Sequence, residues 1–163
     1  MILTLVRHGD AVAAPPGESD ASRPLTDRGH AQARAVARYL LSREAALERI
    51  FTSPLRRAVE TAAPIAAAFG RPAEPAAWLA AGARPEDLAN ELHSIEVLRV
   101  ALVGHAPDLG LLAAFLTGGD PEISLGKGGL ARVEIHPPYA RGLGALREIL
   151  DADEIERRAP PED

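Results

Sequence analysis

Two histidines and a few arginines sit where short apolar runs give way to polar junctions. Arg7-His8-Gly9 follows the run Ile2 to Val6, and Ser53-Pro54-Leu55-Arg56-Arg57 follows Arg49 to Thr52. Gly104-His105-Ala106-Pro107 follows Leu98 to Val103. These residue types suit one chemistry above others. Guanidinium forks match the oxygens of a phosphate, and a helix N-terminus supplies backbone donors for the same anion. The chain has no cysteine, which excludes thiolate nucleophiles, thiolate zinc sites and disulfides together.

For these junctions to act as one site, the chain must bring them to one place. Ile2 to Val6 reads as a buried strand, and the Pro-, Gly- and Ser-rich stretch Ala13 to Pro24 as a loop. Thr26 reads as the N-cap of a helix carrying Ala33, Val36, Ala37 and Leu40 on its inner face, with Arg34, Arg38 and Ser42 outside. A short strand follows at Arg49 to Thr52. Ser53 and Pro54 then read as the cap and first residue of a helix on Leu55, Ala58, Val59, Ala62, Ile65, Ala66 and Phe69, with Gly70 ending it. Pro64 is expected to kink or split that helix.

Arg71 to Gly82 reads as irregular and Pro85 to Leu92 as a short helix. Leu98 to Val103 is a strand, and Pro107 opens a helix on Leu109, Leu112 and Leu116. From Leu130 to Ile135 the pattern alternates, as in a half-exposed strand, and Ala145 to Ile149 suits a returning one. Strands alternating with helices predict a three-layer α/β/α fold, with a mostly parallel central sheet and helices on both faces. In such a sheet the carboxyl ends of the parallel strands share one edge, where ligands bind. The three junctions then converge there. Residues 1–150 read as a single domain, and 151–163 as a charged, frayed tail.

Composition narrows the rest. With 163 residues and 47% apolar content, the chain can bury a real core. A net charge of −5, without a Lys/Arg-rich block, argues against a nucleic-acid surface. No apolar run reaches the roughly 18 residues of a membrane span. The expectation is a cytoplasmic monomer that uses no metal and no cofactor.

The motifs taken together resemble the histidine phosphatase superfamily, whose fold is phosphoglycerate mutase-like. Arg7-His8-Gly9 straight after an N-terminal strand is similar to its RHG signature. The compact SixA-type phosphohistidine phosphatase branch is resembled further by Arg23-Pro24-Leu25-Thr26 with Gly29, by Ser53-Pro54-Leu55-Arg56-Arg57-Ala58 with Thr61-Ala62, and by Gly104-His105 with Pro107. The resemblance runs to about Ile135. It implies that His8 is the nucleophile and that Arg7, Arg57 and His105 hold the phosphoryl oxygens, with Arg23 a further phosphate contact. Arg57, directly before Ala58, occupies the family position, and Arg56 points elsewhere. A neutral imidazole can form a phosphohistidine intermediate and so divide one hard displacement into two easier ones. Arginines then stabilise the equatorial oxygens without a metal. Nearby guanidinium charges should keep His8 neutral.

Blander roles stand beside these. His105 suits a satisfied loop histidine, Arg57 a surface pair with Glu60, and Ser53 a helix cap before a phosphate neighbour. Lys127 suits a solvated loop as well as the pocket rim. His30, His93 and His136 have no arginine motif around them and read as structural. Many superfamily members draw a general acid from the region after the second helix, which here is Ala76-Ala77-Trp78-Leu79-Ala80-Ala81-Gly82, without a carboxylate. Asp10 and Glu86 are the remaining candidates. That absence, and the lack of long lid insertions, favours a phosphorylated protein, specifically phosphohistidine. The alternatives are a phosphatase of small phosphorylated metabolites and a non-catalytic phosphate-binding module. A mutase would need a closed pocket.

Overall fold

The computed structural model describes residues 1–43, 46–119 and 123–162. Six strands form one sheet: β1 (Ile2–Arg7), β2 (Arg49–Thr52), β3 (Ala73–Pro75), β4 (Arg99–Gly104), β5 (Leu130–Glu134) and β6 (Ala145–Leu150). Their spatial order is β3-β2-β4-β1-β5-β6. The first four strands run parallel, while β5 and β6 are antiparallel additions at the other side.

The helices are α1 (Asp27–Arg43), α2 (Arg56–Phe69), α3 (Pro85–Leu92), α4 (Asp108–Thr117) and α5 (Ala152–Arg158). Alternation along the strands sorts them into two layers. Leu3, Leu5, Val100 and Leu102 point to one face, where Leu88 and Leu92 of α3 and Leu109, Leu112 and Leu116 of α4 cover them. Val6, Ala101, Val103 and Ile50 point to the other, against Val36 and Leu40 of α1, Ala58, Ala62 and Ile65 of α2, and Ile155 of α5. The central strands are thus covered on both faces, as parallel strands require.

Four expectations change. Arg71 to Gly82 is not wholly irregular: Ala73–Pro75 pairs with β2, and a 3-10 turn spans Ala77–Leu79. Helix α2 begins at Arg56 with Leu55 at its N-cap, because the Ser53 amide still bonds the Val103 carbonyl at 2.8 Å, as a strand extension. Ser53 is therefore not the helix cap. Of the two outcomes expected at Pro64, splitting does not occur, since α2 runs through it from Arg56 to Phe69. The tail is not frayed over its described length, and Asp163 lies outside the described residues. Asp151 caps α5 by accepting from the Glu154 amide at 2.7 Å, and Ile155 is fully buried. Arg28 of α1 pairs with Asp153 and Glu156, and Arg34 and Arg38 with Glu162. Burying Ile155 contributes roughly 1.5–3 kcal/mol, more than those exposed pairs.

Candidate active site

Strand register assembles the site. β1 and β4 place Arg7 beside Gly104, and β4 and β2 place Val103 beside Thr52, so all three junctions leave the sheet at one edge. The His8 amide bonds the Gly104 carbonyl at 2.9 Å, which fixes the first junction against the third. Gly9 is required by close approach: a Cβ there would lie 2.6 Å from the Gly29 carbonyl oxygen. The Thr61 hydroxyl accepts from the Gly9 amide at 3.0 Å and donates to the Arg57 carbonyl at 2.7 Å, tying the loop after His8 to α2. The Gly9, Gly29 and Thr61 positions of the motifs thus support the backbone that aims His8.

His8, Arg57 and His105 come together, each less than a tenth exposed. The His8 and His105 rings lie 5.2 Å apart, tilted by 60°. His8 Nδ1 lies 2.8 Å from the Gly9 carbonyl oxygen, which can only accept. The proton of the neutral ring is therefore on Nδ1, and Nε2 keeps its lone pair. Arg57 Nε donates to that Nε2 at 3.3 Å. Burial pushes His8 down to about 4, and the nearby His105, Arg57 and Arg7 add to this, against the opposing bond to Gly9. Burial contributes more to this lowering than the guanidinium charges from which the sequence reading argued. His105 is lowered to about 4 by burial first and by Arg57 next.

Arg7 is partly buried and donates through Nη1 to the Leu125 carbonyl at 2.9 Å, while its buried Nε has no partner among the described residues. His105 Nδ1 is likewise buried and without a partner. A buried polar atom left unpaired is costly, so these two atoms stand out among the described residues. His105 Nε2 lies 2.7 Å from the Ser53 hydroxyl, and Ser53 is fully buried. Ser53 is therefore behind His105 and not at a rim.

Arg56 and Arg57 separate as the motif suggests. Arg56 pairs with Glu60 at 2.7 Å on the helix surface, and Arg57 turns inward. Arg57 also meets a residue that sequence reasoning missed. Asp20 accepts from Arg57 through its backbone oxygen at 3.0 Å and its carboxylate at 3.1 Å, and its other carboxylate oxygen accepts from Arg23 at 3.0 Å. Arg23 also donates to the Val12 carbonyl at 2.8 Å, so it stands on the exposed loop with Asp20 and Arg57 between it and His8. In the sequence Asp20 stands only three residues before Arg23, with no signal of its contact with Arg57.

The candidate acids fare differently. Asp10 lies two residues from His8, but its carboxylate accepts from Lys127 and Thr26, each at 2.9 Å, and Lys127 foremost holds it below the usual carboxylate range. Lys127 is thus tied to the loop after His8 through Asp10. Glu86 is exposed in the first turn of α3. The 76–82 segment does border the site, since the Ala76 amide bonds the Thr52 carbonyl at 2.8 Å. It is fastened by Asp108, a buried residue of α4 that accepts from the amides of Gly82 at 2.7 Å and Ala83 at 3.2 Å. His30 lies 3.9 Å from Glu60, His93 stacks with Tyr139, and His136 lies 3.3 Å from Glu134. Among the described residues no group of three or more metal-ligating side chains forms, and no helix is long and apolar enough to cross a membrane.

The family model of the histidine phosphatase superfamily, branch 1, matches residues 3–81, which carry Arg7, His8 and Arg57. The solved structure of the protein histidine phosphatase SixA complexed with tungstate superposes with a TM-score of 0.84 at 26% identity, over 94% of this chain and 98% of that one. The chain belongs to the histidine phosphatase superfamily. Within this superfamily it is SixA-like and a phosphatase. Phosphohistidine phosphatase SixA of Escherichia coli K12 is 39% identical over 61 residues, 37% of each chain. An uncharacterized protein of Picosynechococcus is 34% identical over 149 residues, 83% of this chain and 90% of that one.

Proposed function

We propose that this phosphatase hydrolyses phosphohistidine, on a phosphorylated protein, through a covalent phosphoryl intermediate on His8. The observation that carries the mechanism is the buried His8 ring with Nδ1 2.8 Å from the Gly9 carbonyl, an arrangement that puts the ring proton on Nδ1 and leaves the lone pair on Nε2. As the phosphoryl group enters, Arg57 releases Nε2 and turns its donor to an equatorial oxygen. Nε2 attacks phosphorus in line, a P–N bond forms to His8, and the bond to the substrate imidazole breaks with its electron pair. A substrate ring protonated on its other nitrogen leaves as neutral imidazole and needs no acid. Arg7, Arg57 and His105 stabilise the charge on the oxygens, with Arg23 nearby through Asp20. Water then attacks phosphorus, phosphate departs, and His8 regains its neutral form as the water proton passes to phosphate or solvent.

The choice of substrate rests on the proton that is missing. An alkoxide leaving group needs general-acid help worth roughly 10²–10⁴-fold. Asp10, the carboxyl nearest His8 in sequence, is held ionised by Lys127 and Thr26. Phosphohistidine and p-nitrophenyl phosphate leave without that help. The similarity to SixA proteins points the same way. Hydrolysis of a phosphohistidine protein, compared with a panel of sugar and glycerol phosphates, tests the assignment. Efficient turnover of alkyl phosphates that collapses in Asp10→Asn or Glu86→Gln would move it to a metabolite phosphatase.

A further inference from the structure

We infer that Ser53 is a positioning residue that sets the tautomer of His105, so that His105 presents a neutral Nδ1–H donor to a phosphoryl oxygen. The inference rests on the phosphoryl site described above and adds a role for a side chain that need not touch the phosphate.

The argument is one of donors and acceptors. The Ser53 hydroxyl lies 2.7 Å from His105 Nε2 and accepts from the Leu55 amide at 3.2 Å. A serine hydroxyl has one proton to give and two lone pairs. If His105 carried its proton on Nε2, both close partners of the oxygen would be donors, and a fully buried hydroxyl proton would be left without an acceptor. His105 Nδ1 would then be a bare lone pair, repelling any phosphoryl oxygen. If Ser53 instead donates to Nε2, its own groups are satisfied and the ring proton moves to Nδ1. That atom is buried and has no partner among the described residues, which suits a donor kept for a ligand.

The two histidines then divide their work by what holds their other nitrogen. The Gly9 carbonyl takes the Nδ1–H of His8 and leaves Nε2 as a lone pair for attack. The Ser53 hydroxyl takes the Nε2 lone pair of His105 and leaves Nδ1–H as a donor. Both rings stay uncharged near neutrality, since burial lowers each to about 4. His105 acts by hydrogen bonding, not as a third cation.

Nitrogen NMR of the full chain labelled on histidine, at pH 7 and without ligand, reads the tautomers directly. The wild type should show His105 protonated on Nδ1 with a bare Nε2. Ser53→Ala should move the proton toward Nε2, leave the His8 tautomer unchanged, and weaken vanadate binding about tenfold to a hundredfold, as for one lost bond to a charged group. Ser53→Thr, which keeps the hydroxyl, should restore both readings. A wild-type His105 protonated on Nε2 would overturn the inference, whether or not the alanine variant folds. So would Ser53→Ala that keeps both the Nδ1–H form and the vanadate affinity. Failure of the wild type to bind vanadate would refute the phosphoryl site itself, while poor turnover of phosphohistidine would refute only the substrate.

Discussion

A histidine nucleophile works only when neutral, and the pocket makes a quantitative demand on when that is. His8 drops from 6.5 to about 4 because it is buried beside Arg57, Arg7 and His105. The gap corresponds to roughly 3 kcal/mol against protonating the ring. At pH 5 a group titrating at 4 is about 90% neutral, whereas an ordinary histidine titrating at 6.5 would be about 3% neutral. The perturbation is therefore pH alone, and the assay is NMR titration of the histidine rings in the ligand-free protein. The pH dependence of kcat/KM is a weaker reading, because a phosphate ester's own second ionisation falls near pH 6. Stability carries the same signature. Between pH 6.5 and about 4 the unfolded chain binds protons at His8 and His105 that the folded chain refuses, so the stability these two rings contribute should fall as pH drops through that window; below it the lowered carboxyls such as Asp10 and Asp20 carry the further loss. A His8 that titrates near 6.5 in the folded protein would refute the reasoning, because the imidazole would then be solvated or paired with a carboxylate.

Arg57→Ala should lower the rate on p-nitrophenyl phosphate by about 10²–10³, as for a lost oxyanion donor, and Arg56→Ala by no more than a few-fold. A larger effect at Arg56 would mean that the arginine turned inward is the wrong one. Asp20→Asn removes a carboxylate that competes for Arg57 and Arg23, so vanadate should bind up to about fivefold more tightly, in line with the ~1 kcal/mol of a partly exposed pair. Weaker binding in a titration would show that Asp20 orients Arg57. Ile155→Ala should cost about 2–4 kcal/mol in urea denaturation without changing activity per folded molecule. A loss within the ~0.5 kcal/mol of a neutral surface change would show α5 undocked in solution.

Most of the site was legible in the sequence because its parts are local. Arg7-His8-Gly9 and Gly104-His105 each sit at the end of an apolar strand run, and a parallel sheet gathers such ends at one edge. The separation of Arg57 from Arg56 was legible too, from the single residue that precedes Ala58. Asp20 was hidden because its role depends on a Pro- and Gly-rich loop returning to α2 across 37 positions. Ser53 was misplaced because a serine before a proline reads as a helix cap, and only the pairing of Ser53 with Val103 extends the strand past it. Strand β3 escaped because three residues, Ala73-Glu74-Pro75, have little β propensity of their own and are held by β2. The α5 helix had a readable signal that charge obscured: Asp151 before Glu154 is a cap pattern, and Ala152, Ile155 and Ala159 recur at helical spacing.

The central claim is that the phosphoryl group passes through His8. Rapid quench of the enzyme with a labelled phosphohistidine protein, followed by alkaline work-up and peptide mapping, measures this directly. The account predicts one phosphate on the peptide containing His8, bound through Nε2, appearing and decaying at rates compatible with turnover. The same label should be absent from His8→Ala, which should fold and hydrolyse nothing measurable. A His8→Ala enzyme that keeps a tenth of the wild-type rate, or label found only on another residue, would contradict it.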